Sequence, residues 1–263
     1  VATIGDCAFY ACRSLSSITI PDSVTTIGDD AFAGCSFSSI IIPDSVTTIG
    51  KFAFQDCNSL SSITIPSSVT TMDEGIFYNC DRLSSVTIQD GATAIGDCAF
   101  LKCYSLFSIT IPDSVTTIGE CAFDDCESLS SFIIPRGVTT IGFGAFNECD
   151  SLSSITIPDS VTKIGGCAFA GCGSLSSITI PSSVTKLGGH AFAGCGNLTS
   201  ITFEGDAPEI EYDGPGIKGR FNDVAGKGGI FEYCELEKLT VTYSGSGFEA
   251  LIDEYPDINW VKK

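Results

Sequence analysis

The sequence predicts a solenoid in which about nine short coils stack in register, each contributing one parallel β-strand. Three observations support this fold class. Similar segments recur along residues 1–203, their apolar residues stand at fixed places, and each copy contains one stretch of alternating polar and apolar residues. A lone segment of this length cannot bury its apolar side chains, whereas stacked copies cover one another. The repetition therefore favours one repeat domain over two globular domains.

Two columns of residues define the repeat length. Cysteine recurs every 23 residues, with a single step of 22 between Cys35 and Cys57, and phenylalanine stands three positions before each cysteine of this column. The cysteine column consists of Cys12, Cys35, Cys57, Cys80, Cys103, Cys126, Cys149, Cys172 and Cys195. The phenylalanine column consists of Phe9, Phe32, Phe54, Phe77, Phe100, Phe123, Phe146, Phe169 and Phe192. Stacking places like residues over like, so both columns are expected inside.

Each repeat divides into a strand and a return segment. Ile18 and Ile20 alternate with Ser17 and Thr19, which indicates a half-buried strand. Pro21 ends that strand because proline has no N–H to donate to a neighbouring strand. The return segment reads VTTIG and then xxAFxxC. Because the threonines and the glycine weaken a continuous helix, we expect a short extended piece followed by a single helical turn.

The repeat pattern breaks after Phe203, and we expect residues 204–263 to form a C-terminal capping region. Such a cap would cover the open strand edge and the apolar end of the stack. Within this region we predict an irregular Gly- and acid-rich insertion at 204–234 with a faint echo of the repeat near Cys234, a strand at 239–243, a short helix at 247–255 and a returning segment at 258–261. The first repeat is truncated, as expected for a fragment of a longer chain.

The repeat resembles the BspA-like class of bacterial leucine-rich repeat, whose hallmark is an Ile-Pro turn followed by V-T-x-I-G-x-x-A-F-x-x-C. Ile20-Pro21, Val24 to Gly28 and Ala31 to Cys35 carry the pattern, which covers about residues 1–203. Departures from it are Gln89 for proline, Asp73 for glycine and Ile76 for alanine. The resemblance implies a right-handed superhelix and a secreted or cell-surface protein of bacteria or protists, associated with adhesion to matrix proteins and cells. It brings no catalytic residues and no cofactors.

The chain is strongly acidic, with a formal net charge of −19. This charge repels nucleic-acid phosphates and anionic lipid headgroups, so neither is expected as a partner. No apolar run approaches the roughly 18 residues that a membrane helix needs, which argues against membrane insertion. We expect the charge to keep an extended protein soluble and monomeric. Binding of cations or of a basic partner is the functional alternative.

The fourteen cysteines are expected to act mainly as buried apolar fillers. Side chains stacked about 4.8 Å apart point in parallel, which opposes disulfide formation. A disulfide between Cys98 and Cys121 stays open, because these two belong to a second, partial column and lie in adjacent repeats. His190, the single histidine, is expected on the solvated surface. Without a nucleophile–base pair or paired carboxylates, the chain is not predicted to be an enzyme.

The outward positions of the strands are the predicted partner-binding surface. Serine and threonine fill most of these positions, which makes a flat hydroxyl face with few charges. Such a face is either β-compatible filler or a concave docking surface. Residues that depart from these Ser/Thr rows are expected to contact the ligand. The candidate residues are Ile41, Ser62, Thr64, Ser85, Thr87, Phe107, Thr110, Ile133 and Thr156.

A weaker candidate is an acidic strip near the cysteine-bearing turns of two adjacent repeats. It consists of Asp124, Asp125, Glu127, Glu148 and Asp150. Carboxylates on neighbouring loops can bind calcium, although no defined calcium loop is present here. With no CxxC pair in the chain, no other metal site is predicted.

The sequence and the family resemblance together predict a binding or adhesion module that presents its repeat surface to a protein ligand. The resemblance implies that this ligand is an extracellular-matrix or cell-surface protein. The expected location is extracellular or on the cell surface. The main alternative is a structural spacer or stalk that displays another domain, because the repeats are so alike. A remote alternative is an ice-binding Ser/Thr face, to which a curved sheet is poorly suited.

Overall fold

The computed structural model describes residues 2–211 and 229–263. Stacked coils form a solenoid whose hydrogen-bonded strands are all parallel. In chain order the strands are β1 (Thr3–Ile4), β2 (Thr26–Ile27), β3 (Thr48–Ile49), β4 (Ser62–Ile65), β5 (Ser85–Ile88), β6 (Ala94–Ile95), β7 (Ser108–Thr110), β8 (Thr117–Ile118), β9 (Ser131–Ile133), β10 (Thr140–Ile141), β11 (Ser154–Thr156), β12 (Lys163–Ile164), β13 (Ser177–Ile180), β14 (Lys186–Gly188), β15 (Ser200–Phe203), β16 (Glu209–Glu211), β17 (Thr240–Tyr243) and β18 (Asn259–Lys262).

One side of the solenoid, which we term the front sheet, carries the strands with the predicted alternation. They are β4, β5, β7, β9, β11, β13, β15, β17 and β18. Like residues pair across neighbouring coils: Ser62 lies opposite Ser85 and Thr64 opposite Thr87. The predicted stacking in register is therefore confirmed for these coils. The strand predicted at Ile18 and Ile20 is not formed, and neither residues 17–20 nor the corresponding residues 39–42 are in a strand.

A second side, the back sheet, is built from the predicted extended piece of the return segment. It holds β1, β2, β3, β6, β8, β10, β12, β14 and β16. Most of these strands are only two residues long, because the glycine of the VTTIG segment follows at once. Adding a Cβ at Gly119 would place it 2.7 Å from the Asp97 backbone nitrogen of the preceding coil. The close approach of successive coils thus explains the glycine.

The xxAFxxC segment forms consecutive turns instead of the expected helical turn. In the first coil Cys12 N donates to Phe9 O over 3.1 Å, while Phe9 N donates to Ala31 O of the next coil over 2.8 Å. Cys7 and Ala11 have φ of 55° and 54°, in the left-handed region. Left-handed residues alternate with ordinary ones, and as a result every second N–H points towards the next coil. Hydrogen bonds between coils therefore satisfy the backbone that a helical turn would have satisfied locally.

The phenylalanine column forms one continuous ring stack inside the solenoid. From Phe9 to Phe231 the centroids of neighbouring rings lie 5.2 to 6.2 Å apart, and their planes differ by 4° to 19°. These spacings allow offset stacking, which adds to the apolar area that each ring buries. The predicted interior position of the column is confirmed, since Phe32 and every later member are fully buried.

The cysteine column is buried from Cys35 to Cys195, as predicted, whereas its first member, Cys12, is exposed. The structure adds a polar role. Each thiol donates to the backbone carbonyl of the phenylalanine in the preceding coil, as from Cys103 Sγ to Phe77 O over 3.1 Å, and this contact recurs from Cys35 to Cys234 at 3.0 to 3.3 Å. A thiol is a weak donor, so the ladder orients the side chains more than it stabilises the fold. Burial raises the pKa of Cys103 to about 12.

None of the described cysteines is in a disulfide, so the pairing of Cys98 with Cys121 does not form. Both residues instead occupy left-handed positions in the series of turns, with φ of 55° and 50°. Their side chains lie at the same place in successive coils, which is the parallel geometry that disfavours a disulfide.

Beyond Phe203 the repeat columns continue after an interruption, and residues 212–228 of the predicted insertion lie outside the described residues. Phe231 stacks on Phe192 with centroids 6.2 Å apart, and Cys234 Sγ donates to Phe192 O over 3.0 Å. The faint echo near Cys234 is therefore one more turn of the stack. A 3-10 helix, Leu236–Lys238, follows it.

The predicted strand, short helix and returning segment near the C-terminus are confirmed. β17 pairs with β15, helix α1 (Glu249–Glu254) comes next, and β18 pairs with β17 as the last front-sheet strand. Trp260 Nε1 donates to Tyr255 O over 3.0 Å, which fastens the returning segment to the chain just after α1. That residues 204–263 cap the solenoid stays a prediction.

Candidate partner-binding face

The outward side chains of the front sheet form a continuous exposed surface, which we term the front face. In β4, Ile63 and Ile65 are buried whereas Ser62 and Thr64 are exposed. This alternation follows from the strand geometry, in which successive side chains point to opposite sides of the sheet. The other candidates from the sequence lie on the same face, and all are exposed except Ser85, which is half-buried.

Four exposed apolar side chains interrupt this polar surface: Ile41, Phe107, Ile133 and, in the last strand, Val261. Ile41 and Ile133 are 84% and 85% exposed, and Phe107 is 62% exposed. Ile133 pairs in register with Thr156, so an isoleucine here replaces a residue that suits solvent better. The fold gains almost nothing from an apolar side chain left in water, since the hydrophobic effect rewards only area removed from it.

One of these residues stands in a groove. Ile41 lines a depression of about 350 Å³ together with Ser62, Thr64, Ser85 and Thr87. We term it the Ile41 groove. The structure thus brings five of the nine candidate residues together. Phe107, Thr110, Ile133 and Thr156 do not line this groove and lie further along the front face.

The hydroxyl groups of the coils fall into two classes that the sequence did not separate. One class is used within the protein: Ser84 Oγ donates to Ser61 O over 3.0 Å, and Thr116 Oγ1 donates to Thr93 O over 3.1 Å. The second class points outward from the front sheet. Among the described residues, the hydroxyls of the four groove residues Ser62, Thr64, Ser85 and Thr87 have no hydrogen-bond partner, so they remain available to a ligand.

One edge of the groove lies at the carboxyl ends of the front-sheet strands, and a departure from the repeat shapes it. Gln89 replaces the turn proline and lines the groove with Asp44. Its Oε1 accepts a hydrogen bond from Ser67 N over 3.1 Å, and its own N donates to Ile65 O over 3.0 Å. The glutamine thus joins two coils at this edge, a bond that proline could not make because it lacks the N–H.

His190 is not on the solvated surface, so that expectation was wrong. The side chain is buried, with the residue 7% exposed, and its Nε2 lies 2.7 Å from Glu232 Oε2. Glu232 belongs to the extra turn of the stack near Cys234, at the end of the predicted insertion. Its contact with His190 therefore depends on how the chain returns, which the local sequence does not show.

The acidic strip is not assembled as one site. Asp124 is fully buried and accepts a hydrogen bond from Asn147 Nδ2 over 2.8 Å, whereas Glu127, Glu148 and Asp150 are exposed. Burial and the neighbouring carboxylates of Asp150 and Glu127 raise the pKa of Glu148. Across residues 2–211 and 229–263, no three His, Cys, Asp or Glu side chains are arranged to hold a metal ion.

The back sheet carries a second groove, of about 420 Å³, that sequence reasoning missed. Glu211 lies at one end, with its Oε2 2.7 Å from Lys163 Nζ and its Oε1 bonded to Lys186 Nζ. Both lysines lower the pKa of the Glu211 carboxyl through these bonds. The signal was present, because only these two repeats read V-T-K where the others have Thr or Ala. The contacts fasten β16 to the back sheet.

A scan against protein-family models finds the BspA type leucine rich repeat region in six copies, over residues 1–107 and 93–213. The chain belongs to this family. Its repeat signature, which the sequence suggested by resemblance, is thereby established over most of the chain. A search of curated proteins finds no match.

Solved structures of bacterial leucine-rich repeat proteins are similar to this chain. A protein from Bacteroides ovatus is 28% identical, with 100% of this chain and 75% of that chain covered and a TM-score of 0.54. A leucine rich cell surface protein from Faecalibacterium prausnitzii is also 28% identical, with 100% and 83% covered and a TM-score of 0.55. The pneumococcal vaccine antigen PcpA is 17% identical, with 100% and 77% covered and a TM-score of 0.56, a likeness of fold alone.

Proposed function

We propose that the protein is a surface-exposed or secreted binding module that attaches to a protein ligand through the Ile41 groove. The observation that carries this proposal is an isoleucine left 84% exposed at the wall of a groove whose other exposed side chains are polar. Most other repeats have threonine at this position, so the fold does not require isoleucine. An apolar side chain surrounded by polar groups is the usual anatomy of a contact residue.

The chemistry of the groove suits a protein surface better than a small metabolite. It is shallow, and its polar groups are hydroxyls that both donate and accept hydrogen bonds. It holds none of the buried charges or convergent polar groups that fix a small substrate. The cell-surface description of the Faecalibacterium relative supports the same extracellular setting. In the described residues, no helix has the length and apolar character needed to cross a membrane.

Substitution of Ile41 tests the proposal directly. Ile41→Thr installs the residue that most other repeats carry, and Ile133→Thr makes the same change outside the groove. Binding is measured by surface plasmon resonance on immobilised collagen, laminin and fibronectin, and by attachment to fixed epithelial cells. We expect Ile41→Thr to weaken binding about tenfold, and Ile133→Thr to weaken it by less than about threefold.

Both variants should keep the stability of the parent chain, because substitutions of exposed residues change unfolding free energy by about 0.5 kcal/mol or less. Equal binding by the parent and Ile41→Thr would remove the groove as the site. If the parent chain attached to none of the matrix proteins and to no cells, the result would contradict the binding module and favour the spacer.

The spacer or stalk is the second candidate, favoured by the near identity of the coils. It predicts that the face is inert and that function resides in another domain of a longer protein. Neither candidate requires catalysis, and we infer that the protein is not an enzyme. A purely structural role would be supported if Ile41→Thr, Phe107→Ser and Ile133→Thr together left cell attachment unchanged.

A further inference from the structure

Resting on the proposed function, we infer that the partner of the Ile41 groove is a basic protein segment. Its Lys or Arg side chains would meet a row of aspartates along one edge of the front face, while one of its apolar side chains packs on Ile41. This combination of charge and apolar contact names the chemical class of the ligand, which the family does not supply.

The row of aspartates follows the turn that ends each front-sheet strand. Its members are Asp22, Asp44, Asp90, Asp113 and Asp159, and all of them are exposed. Asp44 itself lines the groove with Ile41. Arg136 is the single basic residue at this position, and it lies four coils from Ile41. Within the groove this edge carries the Asp44 carboxylate. Asp22 and Asp90 stand at the same position in nearby coils, with the neutral Ser67 between Asp44 and Asp90.

The turn does not require these carboxylates. With Asp22 the turn closes through Val24 N donating to Pro21 O over 2.9 Å, and with Ser67 it closes in the same way through Val69 N and Pro66 O over 3.0 Å. Asp22, Asp44 and Asp90 take part in no side-chain hydrogen bond or ion pair within the described parts of the chain. They contribute no visible contact to the fold, although neighbouring like charges repel one another.

Geometry strengthens that repulsion. Successive coils lie about 4.8 Å apart, so Asp22 and Asp44 stand within one Debye length of each other. The net charge of −19 adds to the local field. A cationic partner relieves the repulsion and forms charge-assisted hydrogen bonds, and the same field steers its approach.

A basic protein segment fits better than a bound cation. The described residues offer no cluster of three acidic side chains that could hold a metal ion. The row also borders an exposed isoleucine and unengaged hydroxyls, to which a bare cation makes no useful contact. A peptide satisfies all three features at once, because it carries charge, apolar side chains and backbone hydrogen-bonding groups.

Short fluorescent peptides test the inference on the whole chain. One alternates lysine and valine, a second alternates lysine and serine, and a third alternates glutamate and valine; binding is followed by fluorescence anisotropy. The test variant combines Asp22→Asn, Asp44→Asn and Asp90→Asn. The matched control combines Glu249→Gln, Asp253→Asn and Glu254→Gln in the exposed part of α1, so both variants lose the same charge.

We expect the lysine–valine peptide to bind about fivefold more tightly than the lysine–serine peptide, and the glutamate–valine peptide not to bind. The test variant should weaken lysine–valine binding about tenfold and the control by less than about threefold. Added salt should weaken parent binding further, as screening shortens the reach of the charges.

Equal losses in the two variants would show that diffuse net charge attracts the peptide and would overturn the inference. Equal affinity for the lysine–valine and lysine–serine peptides, or no binding of either, would also overturn it. Failure here is distinguishable from failure of the proposed function. If attachment to matrix proteins or cells needs Ile41 but is unchanged in the aspartate variant, the groove is the site and its partner is not basic.

Discussion

The interior of the solenoid and its front face are built from the same repeats, yet they tolerate change very differently. Inside, Phe77, Phe100 and Phe123 are stacked rings with no exposure, and no repeat after the first departs from this arrangement. On the front face the repeated residue is serine or threonine, and departures such as Ile41 protrude into solvent. The repeats are therefore nearly invariant at interior positions and vary at solvent-exposed positions.

The difference shows where function can be found in a repeat protein. An interior column is constrained by its neighbours on both sides, because a ring that changes size disturbs the coils above and below. A surface position is constrained only by strand propensity and solubility. A departure from the repeat inside therefore reports on packing, whereas a departure on the face points to a ligand.

The largest effect that would sharpen this comparison is expected at alkaline pH. Burial raises the pKa of Cys103 to about 12 from an ordinary 9.0 and raises that of Cys126 well above 9.0. Because the folded pKa lies above the unfolded one, the stabilisation is complete below about pH 9 and is lost as pH rises towards 12. Each such thiol should lower the unfolding free energy by about 1.4 kcal/mol per pH unit in that window. Urea unfolding midpoints between pH 8 and pH 11 would measure it.

The matched control is the double variant Cys103→Ala with Cys126→Ala, which removes two interior thiols. Its unfolding free energy should fall less steeply with pH than that of the parent, although it starts lower because two buried sulfurs are lost. Parallel pH profiles for the two proteins would show that the interior thiols do not resist ionisation.

A pair of phenylalanines compares the two regions with the same chemical change. Phe100 is fully buried between Phe77 and Phe123, whereas Phe107 is exposed on the front face. We expect Phe100→Ala to lower the unfolding free energy by about 3–5 kcal/mol, and Phe107→Ala to change it by about 0.5 kcal/mol or less. Chemical denaturation followed by circular dichroism measures both. Similar losses would erase the distinction between the regions.

The smallest effect is expected from adding one methyl group at a glycine. A Cβ at Gly119 would stand 2.5 Å from Asp97 Oδ1 and 2.7 Å from the Asp97 backbone nitrogen, whereas Gly196 has nothing within 4 Å. Gly119→Ala should therefore lower the unfolding free energy by about 1–3 kcal/mol. Gly196→Ala serves as the control and should leave the thermal midpoint nearly unchanged. A harmless Gly119→Ala would mean that the coils separate more easily than their spacing suggests.

The sequence predicted the parts of the fold that repeat. The alternating strands from β4 onward, the phenylalanine ring stack and the buried thiols follow from spacing alone, because residues that recur at one place in every coil stack over one another in the interior. The segment at Ile18 and Ile20 has the same alternation but forms no strand. The helical turn was wrong for a related reason. Asp30 and Phe52 adopt φ of 54° and 55°, which local propensity disfavours but hydrogen bonds between coils enforce.

The sequence predicted which residues belong to the candidate site, but it did not predict that they form a groove. The exposed positions of Ile41, Ser62 and Thr64 follow from strand alternation. Their assembly with Ser85 and Thr87 into one groove depends on the sheet and on the edge made by Gln89. His190 was misjudged because its partner, Glu232, lies within the predicted insertion at 204–234, where no periodicity guided the prediction.

The sequence by itself determined that this chain is a stack of coils, which residues lie inside it and which face the solvent. These properties are set by the period of the apolar side chains, and a period can be read without coordinates. The tertiary structure decided which hydroxyls the protein uses for itself, how the turns bond from coil to coil, and where exposed residues converge. Those outcomes depend on distances between atoms in different coils, and no local pattern encodes such distances.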